Sequence, residues 1–168
     1  MAEVIFRPLQ QGDAVRAADI VFAGDSEWAE WMPVPWEPTP YEKDLEDWRA
    51  ALADPRRWKL GAATPGGRLV GVLSMRPDEG DATIGHLSAL FVDPEFQGRG
   101  VGAALLARCE AEWRRRGMKR GCLWTPRGGP AERFYERHGW RRDGRLLWWE
   151  WADMEIVGFA KPLGGAAD

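Results

Sequence analysis

The sequence predicts an α/β domain built on a mixed, mainly antiparallel sheet of about six to seven strands flanked by about four helices. Three observations carry that prediction. The apolar runs 58–64, 68–75 and 82–92 follow one another across short Pro-, Gly- and Asp-rich turns, which is the pattern of an antiparallel meander. The last of them leads through a glycine-rich turn into a helical stretch from Ala103 to Arg116, and then into a short strand, Arg120 to Trp124. Strand, crossover helix and strand place one parallel pair in an otherwise antiparallel sheet. At 168 residues, 45% apolar and 29% charged, the chain can bury a core without disulfides or metal. One domain over 1–168 is expected, with a frayed tail at 164–168.

Taken in order, Val4 to Arg7 reads as the first strand, stopped by Pro8. From Gln11 to Phe22, Val15, Ala18, Asp19 and Phe22 recur at helical spacing, and Gly24 is read as the end of that helix. The next segment, 28–40, holds four prolines and three tryptophans. Prolines at that density block a long helix, and the tryptophans are costly to leave in water, so a loop folded over something is expected. Tyr41 to Ala53 is a second helix, with Leu45, Trp48 and Leu52 on one side, opened by Thr39-Pro40 and closed before Asp54-Pro55. After the meander, Arg114 to Arg116 suit the C-terminal end of the third helix and Gly117 stops it. A fourth helix spans Pro130 to Arg137. Trp140 to Arg142 and Met154 to Phe159 are the last strands, joined by a tryptophan-rich connection.

The turn Gln97-Gly98-Arg99-Gly100-Val101-Gly102-Ala103 is read as a phosphate-binding turn. Glycines at alternate positions let backbone N–H groups approach an anion without interference from Cβ. The following helix N-terminus offers free donors and a partial positive charge. On spacing alone, a tight turn with no ligand fits equally well. The dinucleotide fingerprint also fits formally, but it needs an acidic residue about 20 positions on, and none occurs from Trp113 to Ala131. A P-loop needs Gly-Lys-Ser/Thr where this turn has Gly102-Ala103-Ala104.

The turn resembles the pyrophosphate loop of the GNAT superfamily of acyl-CoA-dependent N-acetyltransferases, Gln/Arg-x-x-Gly-x-Gly/Ala, which Gln97 to Gly102 fits in full. Leu90 to Phe96 is similar to the strand end and Pro-containing connector before that loop. Phe134-Tyr135-Glu136-Arg137-His138-Gly139-Trp140 is similar to the second GNAT signature, Phe-Tyr-x-x-x-Gly-aromatic. The resemblance covers Gly85 to Trp140. It implies acetyl-CoA as co-substrate, held by Gln97, Gly98, Arg99, Gly100, Val101, Gly102 and Ala103, with main-chain groups of Leu90, Phe91 and Val92 against the pantetheine. It implies Tyr135 as the acid that protonates the leaving thiolate, since a phenol is protonated at neutral pH. Where the family often has a base on the strand before the loop, this chain has His86, whose ordinary pKa suits the task. Glu27, Glu30 and Glu150 are alternative bases. The helix asparagine that many members use is replaced by Gly128-Gly129. The region between the first two helices borders the acceptor site in this family, so Trp28, Trp31 and Trp36 are expected to line it, together with Trp148. The implied reaction is direct acetyl transfer to the amine of a small molecule in a ternary complex. Acetylation of a protein or peptide, and a non-catalytic acyl-CoA-binding regulatory domain, are the alternatives.

Charge separates along the chain. Residues 1–96 carry 17 acidic and 9 basic groups, and residues 97–168 carry 9 acidic and 14 basic. The acidic, tryptophan-rich half would attract a cationic acceptor, an amine-bearing antibiotic among the candidates. An overall pI near 5.5 argues against nucleic acid. The absence of a signal-peptide pattern and of an 18-residue apolar run points to the cytoplasm, with no membrane partner. A homodimer is left open. Cys109 and Cys122 are read as buried structural thiols, and no metal-ligand spacing is visible, so no metal is expected.

Overall fold

In a computed structural model that describes residues 3–32 and 35–164, the elements in order are β1 (Ile5–Pro8), α1 (Ala14–Ser26), α2 (Tyr41–Ala53), β2 (Trp58–Ala63), β3 (Leu69–Pro77) and β4 (Ile84–Val92), followed by α3 (Val101–Arg115), β5 (Arg120–Pro126), α4 (Pro130–Arg137), β6 (Arg141–Trp149) and β7 (Met154–Pro162). Positions 33 and 34 of the proline-rich loop and most of the expected frayed tail lie outside the described residues. The strands form one sheet in the order β1-β2-β3-β4-β5-β7-β6. Every neighbouring pair is antiparallel except β4 and β5. These two pair only from Ile84 to His86 against Arg120 to Cys122. Beyond that point β4 stays on β3 and β5 stays on β7, so the sheet opens between 87–92 and 123–126.

One face carries α3 and α4. Val101, Leu105, Cys109 and Trp113, which follow one another along one side of α3, are buried against Leu73, Met75 and Leu87. Trp113 lies flat on the sheet because Gly85 and Gly121 are opposed in register beneath it. A Cβ at Gly85 would fall 2.1 Å from the indole nitrogen, and one at Gly121 would fall 2.6 Å from the ring. Glu110, buried on the same helix, accepts hydrogen bonds from Trp140 Nε1 at 2.9 Å and Lys161 Nζ at 2.8 Å, tying α3 to β7 and to the end of α4. The other face carries α1 and α2, packed through Ala14, Ala17, Ala18, Val21, Trp48 and Leu52 onto Leu69 and Val72.

Three local expectations are corrected. Helix α1 does not end at Gly24 but continues to Ser26. Gly24 is the point where the helix touches β4: a Cβ there would lie 3.0 Å from the Phe91 ring. Val15, placed by spacing with Ala18, is 51% exposed, because Ala14, Ala17 and Val21 are the inward residues. Strand β6 does not end at Arg142; after an irregularity between Arg142 and Leu146 it resumes pairing with β7 as far as Trp149.

Candidate active site

The glycine turn leaves the open end of β4. Asp93 closes that strand: its side chain accepts from Glu95 N–H at 3.0 Å and pairs with Arg68 at 2.9 Å and with Arg16 of α1. Burial works to raise its pKa, and the Glu95 N–H and the two guanidiniums outweigh it, holding the carboxyl below its usual range. The turn is thereby pinned to β3 and α1. Gly98 and Gly100 both adopt left-handed backbone, at φ 69° and 83°, with Gly100 at the N-cap of α3. Only glycine takes that conformation without strain. Gln97, Gly98, Arg99 and Gly100 are all exposed. The N–H groups of Val101, Gly102 and Ala103 begin the helix without intrahelical partners. The Gln97 side chain donates to Val92 O at 3.3 Å and to Glu27 Oε2 at 3.0 Å, so the turn reaches back to the segment after α1.

Beside the opening, β4 carries a bulge. Ala89 is opposite Ser74 and Leu87 is opposite Met75, leaving Ser88 with no counterpart on β3. The extra residue switches which side chains face each layer. Leu87, Leu90 and Val92 belong to the α3 side, Ala89 and Phe91 to the α1–α2 side. Because β5 has left, the peptide groups on that edge of β4 face the opening instead of a neighbouring strand.

The two sequence-predicted proton-transfer residues lie on opposite layers of the sheet, Tyr135 in the core on the α3 side and His86 on the α2 side. Tyr135, on α4, is 8% exposed, with ring centroids 5.3 Å from Phe134, 5.9 Å from Trp140 and 6.1 Å from Phe159. Burial pushes its phenol above the ordinary value, so it holds its proton throughout the neutral range. His86 lies at the last position where β4 pairs with β5 and lines a groove under α2 with Trp48, Arg57, Ser74 and Ser88. Burial, helped by the neighbouring Arg76 charge, lowers its pKa to about 4. At pH 7 the imidazole is neutral and keeps a lone pair.

Three of the predicted tryptophans come together. Trp28 lies 5.7 Å from Trp31 and 5.1 Å from Trp36, centroid to centroid. Trp36 Nε1 donates to Asp25 O at 2.7 Å, and Trp31 packs over Gly129, which heads α4. The fourth member is Trp149, 6.4 Å from Trp28, and not Trp148, which is 57% exposed. Successive strand residues face opposite ways, so placing the ring required the parity of a strand whose extent the sequence did not show. Glu30 and Glu150 are exposed, and Glu27 is engaged by Gln97. Sequence reasoning also missed two buried carboxyls beneath this cluster. Asp25 is raised to about 7 by burial and by the charge of Asp44; Asp44 is raised to about 6 by burial and by Asp47, and its Oδ2 has no hydrogen-bond partner. Their position on helices α1 and α2, on the sides facing Ala18 and Trp48, was the available signal.

Comparison with known proteins agrees with this geometry. The profile of the acetyltransferase (GNAT) family matches residues 23–140. Among solved structures, a GNAT-family protein from Desulfovibrio desulfuricans superposes with a TM-score of 0.79 at 20% identity, covering 96% of this chain and 100% of that one. The PaiA N-acetyltransferase of Thermoplasma acidophilum in complex with coenzyme A gives 0.73 at 18% identity over 95% and 99% of the two chains. An aminoglycoside 6'-N-acetyltransferase complexed with coenzyme A gives 0.74 at 19% identity over 98% and 99%. No curated protein sequence matches. At these identities the structural likeness speaks for the fold.

Proposed function

Because the chain belongs to the acetyltransferase (GNAT) family, we propose that it moves an acetyl group from acetyl-CoA to the amine of a small molecule, by direct transfer within one domain. The observation that carries the reading is the exposed turn with left-handed Gly98 and Gly100 at the mouth of the opening between β4 and β5. Amides from Gln97 to Ala103 hold the diphosphate, and the unpaired edge at Leu90, Phe91 and Val92 holds the pantetheine and polarises the thioester carbonyl. Two structural neighbours solved with coenzyme A support this assignment of the co-substrate.

The opposite placement of His86 and Tyr135 suits the chemistry. An amine attacks one side of the carbonyl while the thiolate leaves from the other, so the group that accepts a proton and the group that donates one belong on different layers. Neutral His86 takes the proton from the attacking amine, and Tyr135 supplies one to the departing sulfur. Trp28, Trp31 and Trp36, with Trp149 beside them, form the aromatic wall of the acceptor site, and the neighbouring acidic residues favour a cationic amine. A compact aromatic wall favours a small acceptor over an extended peptide.

The test is a panel of polyamines, aminoglycosides, arylalkylamines and peptide N-termini, assayed with acetyl-CoA by release of free thiol. Acceptor-dependent release with at least one small amine is expected. Thiol release with peptides alone, or none with any acceptor, would contradict the proposal.

A further inference from the structure

We propose that Asp78, His86 and Cys122 form a binding site for a zinc-class metal ion at the closed end of the β4–β5 opening, and that a metal held there prevents His86 from accepting a proton. Three donor atoms of three different kinds converge on one point. Cys122 Sγ lies 3.6 Å from His86 Nδ1 and 3.8 Å from Asp78 Oδ1, and the His86 and Asp78 atoms are 3.7 Å apart. Zinc at about 2.3 Å from sulfur and 2.0–2.2 Å from nitrogen and oxygen, in tetrahedral array, sets edges of roughly 3.3–3.6 Å. The observed triangle is within a few tenths of an ångström of that.

The pattern is not that of a nucleophile, a base and an orienting carboxylate. Such a relay uses both ring nitrogens, one toward the nucleophile and one toward the carboxylate. Here the thiol and the carboxylate approach the same nitrogen, at distances too long for strong hydrogen bonds. The framework is rigid. His86 and Cys122 are partners in the only paired stretch between β4 and β5, and Asp78 sits in the turn after β3, its N–H bonded to Ile84 O at 2.8 Å. Cys122 is buried, whereas His86 borders the groove under α2, which gives a metal a way in and a place for water as the fourth ligand.

Charge selects the metal. Arg57, Arg76 and Arg145 act on His86 alongside Asp78, so a dication needs anionic donors to be held. Carboxylate and thiolate together neutralise it, with the thiol proton released to solvent on binding. A mixed sulfur, nitrogen and oxygen set suits zinc or cobalt and not calcium or magnesium. The three residues are too far apart in the chain to show a ligand motif, which is why the sequence pointed to no metal. Metal on Nδ1 leaves the ring proton on Nε2, so the imidazole has no free lone pair; this consequence rests on His86 being the base in the proposed function.

Metal-free protein titrated with cobalt(II) should develop a thiolate-to-cobalt charge-transfer band in the near ultraviolet, displaced by zinc. Cys122→Ser should lose the band while Cys109→Ser keeps it. Asp78→Asn should weaken binding roughly tenfold or more, at least the effect of removing an outer-shell partner. Circular dichroism confirms that each variant is folded. Absence of the band in the folded wild type, or its persistence in Cys122→Ser, overturns the site. In the transfer assay, zinc should lower wild-type turnover at least tenfold, and Cys122→Ser much less, relative to its own metal-free rate. Cobalt binding without inhibition overturns the switch and the role of His86, and leaves the site standing.

Discussion

Replacing Tyr135 by Phe separates chemistry from folding. The ring is held by Phe134, Trp140 and Phe159 at centroid distances of 5.3, 5.9 and 6.1 Å, and phenylalanine keeps all three contacts. What is lost is one hydroxyl, worth at most about 1–1.5 kcal/mol to stability even where it is hydrogen-bonded. A positioned acid contributes about 10²–10⁴-fold to a rate, or roughly 3–5 kcal/mol of barrier. The expected result is therefore a fall in kcat of tenfold or more, an acetyl-CoA Kd changed less than about threefold, and a denaturation midpoint close to wild type. Turnover by thiol release, affinity by calorimetry and stability by urea unfolding give the three numbers. Unchanged turnover would refute the role of Tyr135, and a parallel collapse of stability and activity would make it a packing residue only.

Glu110→Ala leaves Trp140 Nε1 without its acceptor in the interior and Lys161 Nζ with His138 O as its remaining partner, and should cost about 1–3 kcal/mol in urea unfolding; a loss under about 0.5 kcal/mol would contradict the account of that network. Asp25→Asn should flatten the pH dependence of stability. With its pKa raised to about 7 from an unfolded value near 3.8, Asp25 binds more protons folded than unfolded in that window, so it destabilises increasingly as pH rises toward 7. The slope is about 1.4 kcal/mol per pH unit well below pH 7 and about half of that at pH 7, hence roughly 2 kcal/mol between pH 5 and 7 that the variant should recover. Equal pH profiles for variant and wild type would show that Asp25 is not held protonated.

What could be read in advance was local. Helices α2 and α4 match the expected bounds because a proline marks each start, Pro40 at the N-cap of α2 and Pro130 in the first turn of α4, and α2 also ends before one. The glycine turn was legible because an exposed reversal with left-handed backbone needs glycine there. Helix α1 was misread where Gly24 serves a contact with Phe91, a long-range reason that spacing cannot express. Strand β6 was cut short because Arg141 to Arg145 is polar around Gly144, the composition of a turn, and it is held by β7 instead of by its own pattern. The bulge at Ser88, the ring of Trp149, and the meeting of Asp78 with His86 and Cys122 depend on register between strands, which no single segment encodes.

The central claim is that main-chain amides of the glycine turn grip the diphosphate of acetyl-CoA. Amide chemical shifts of Gly98, Gly100, Val101 and Gly102 followed during titration with acetyl-CoA test it most directly. They should move together and saturate at one stoichiometric equivalent, ahead of distant amides such as that of Gly66. No saturable binding, or binding that leaves those four amides unmoved, would contradict it.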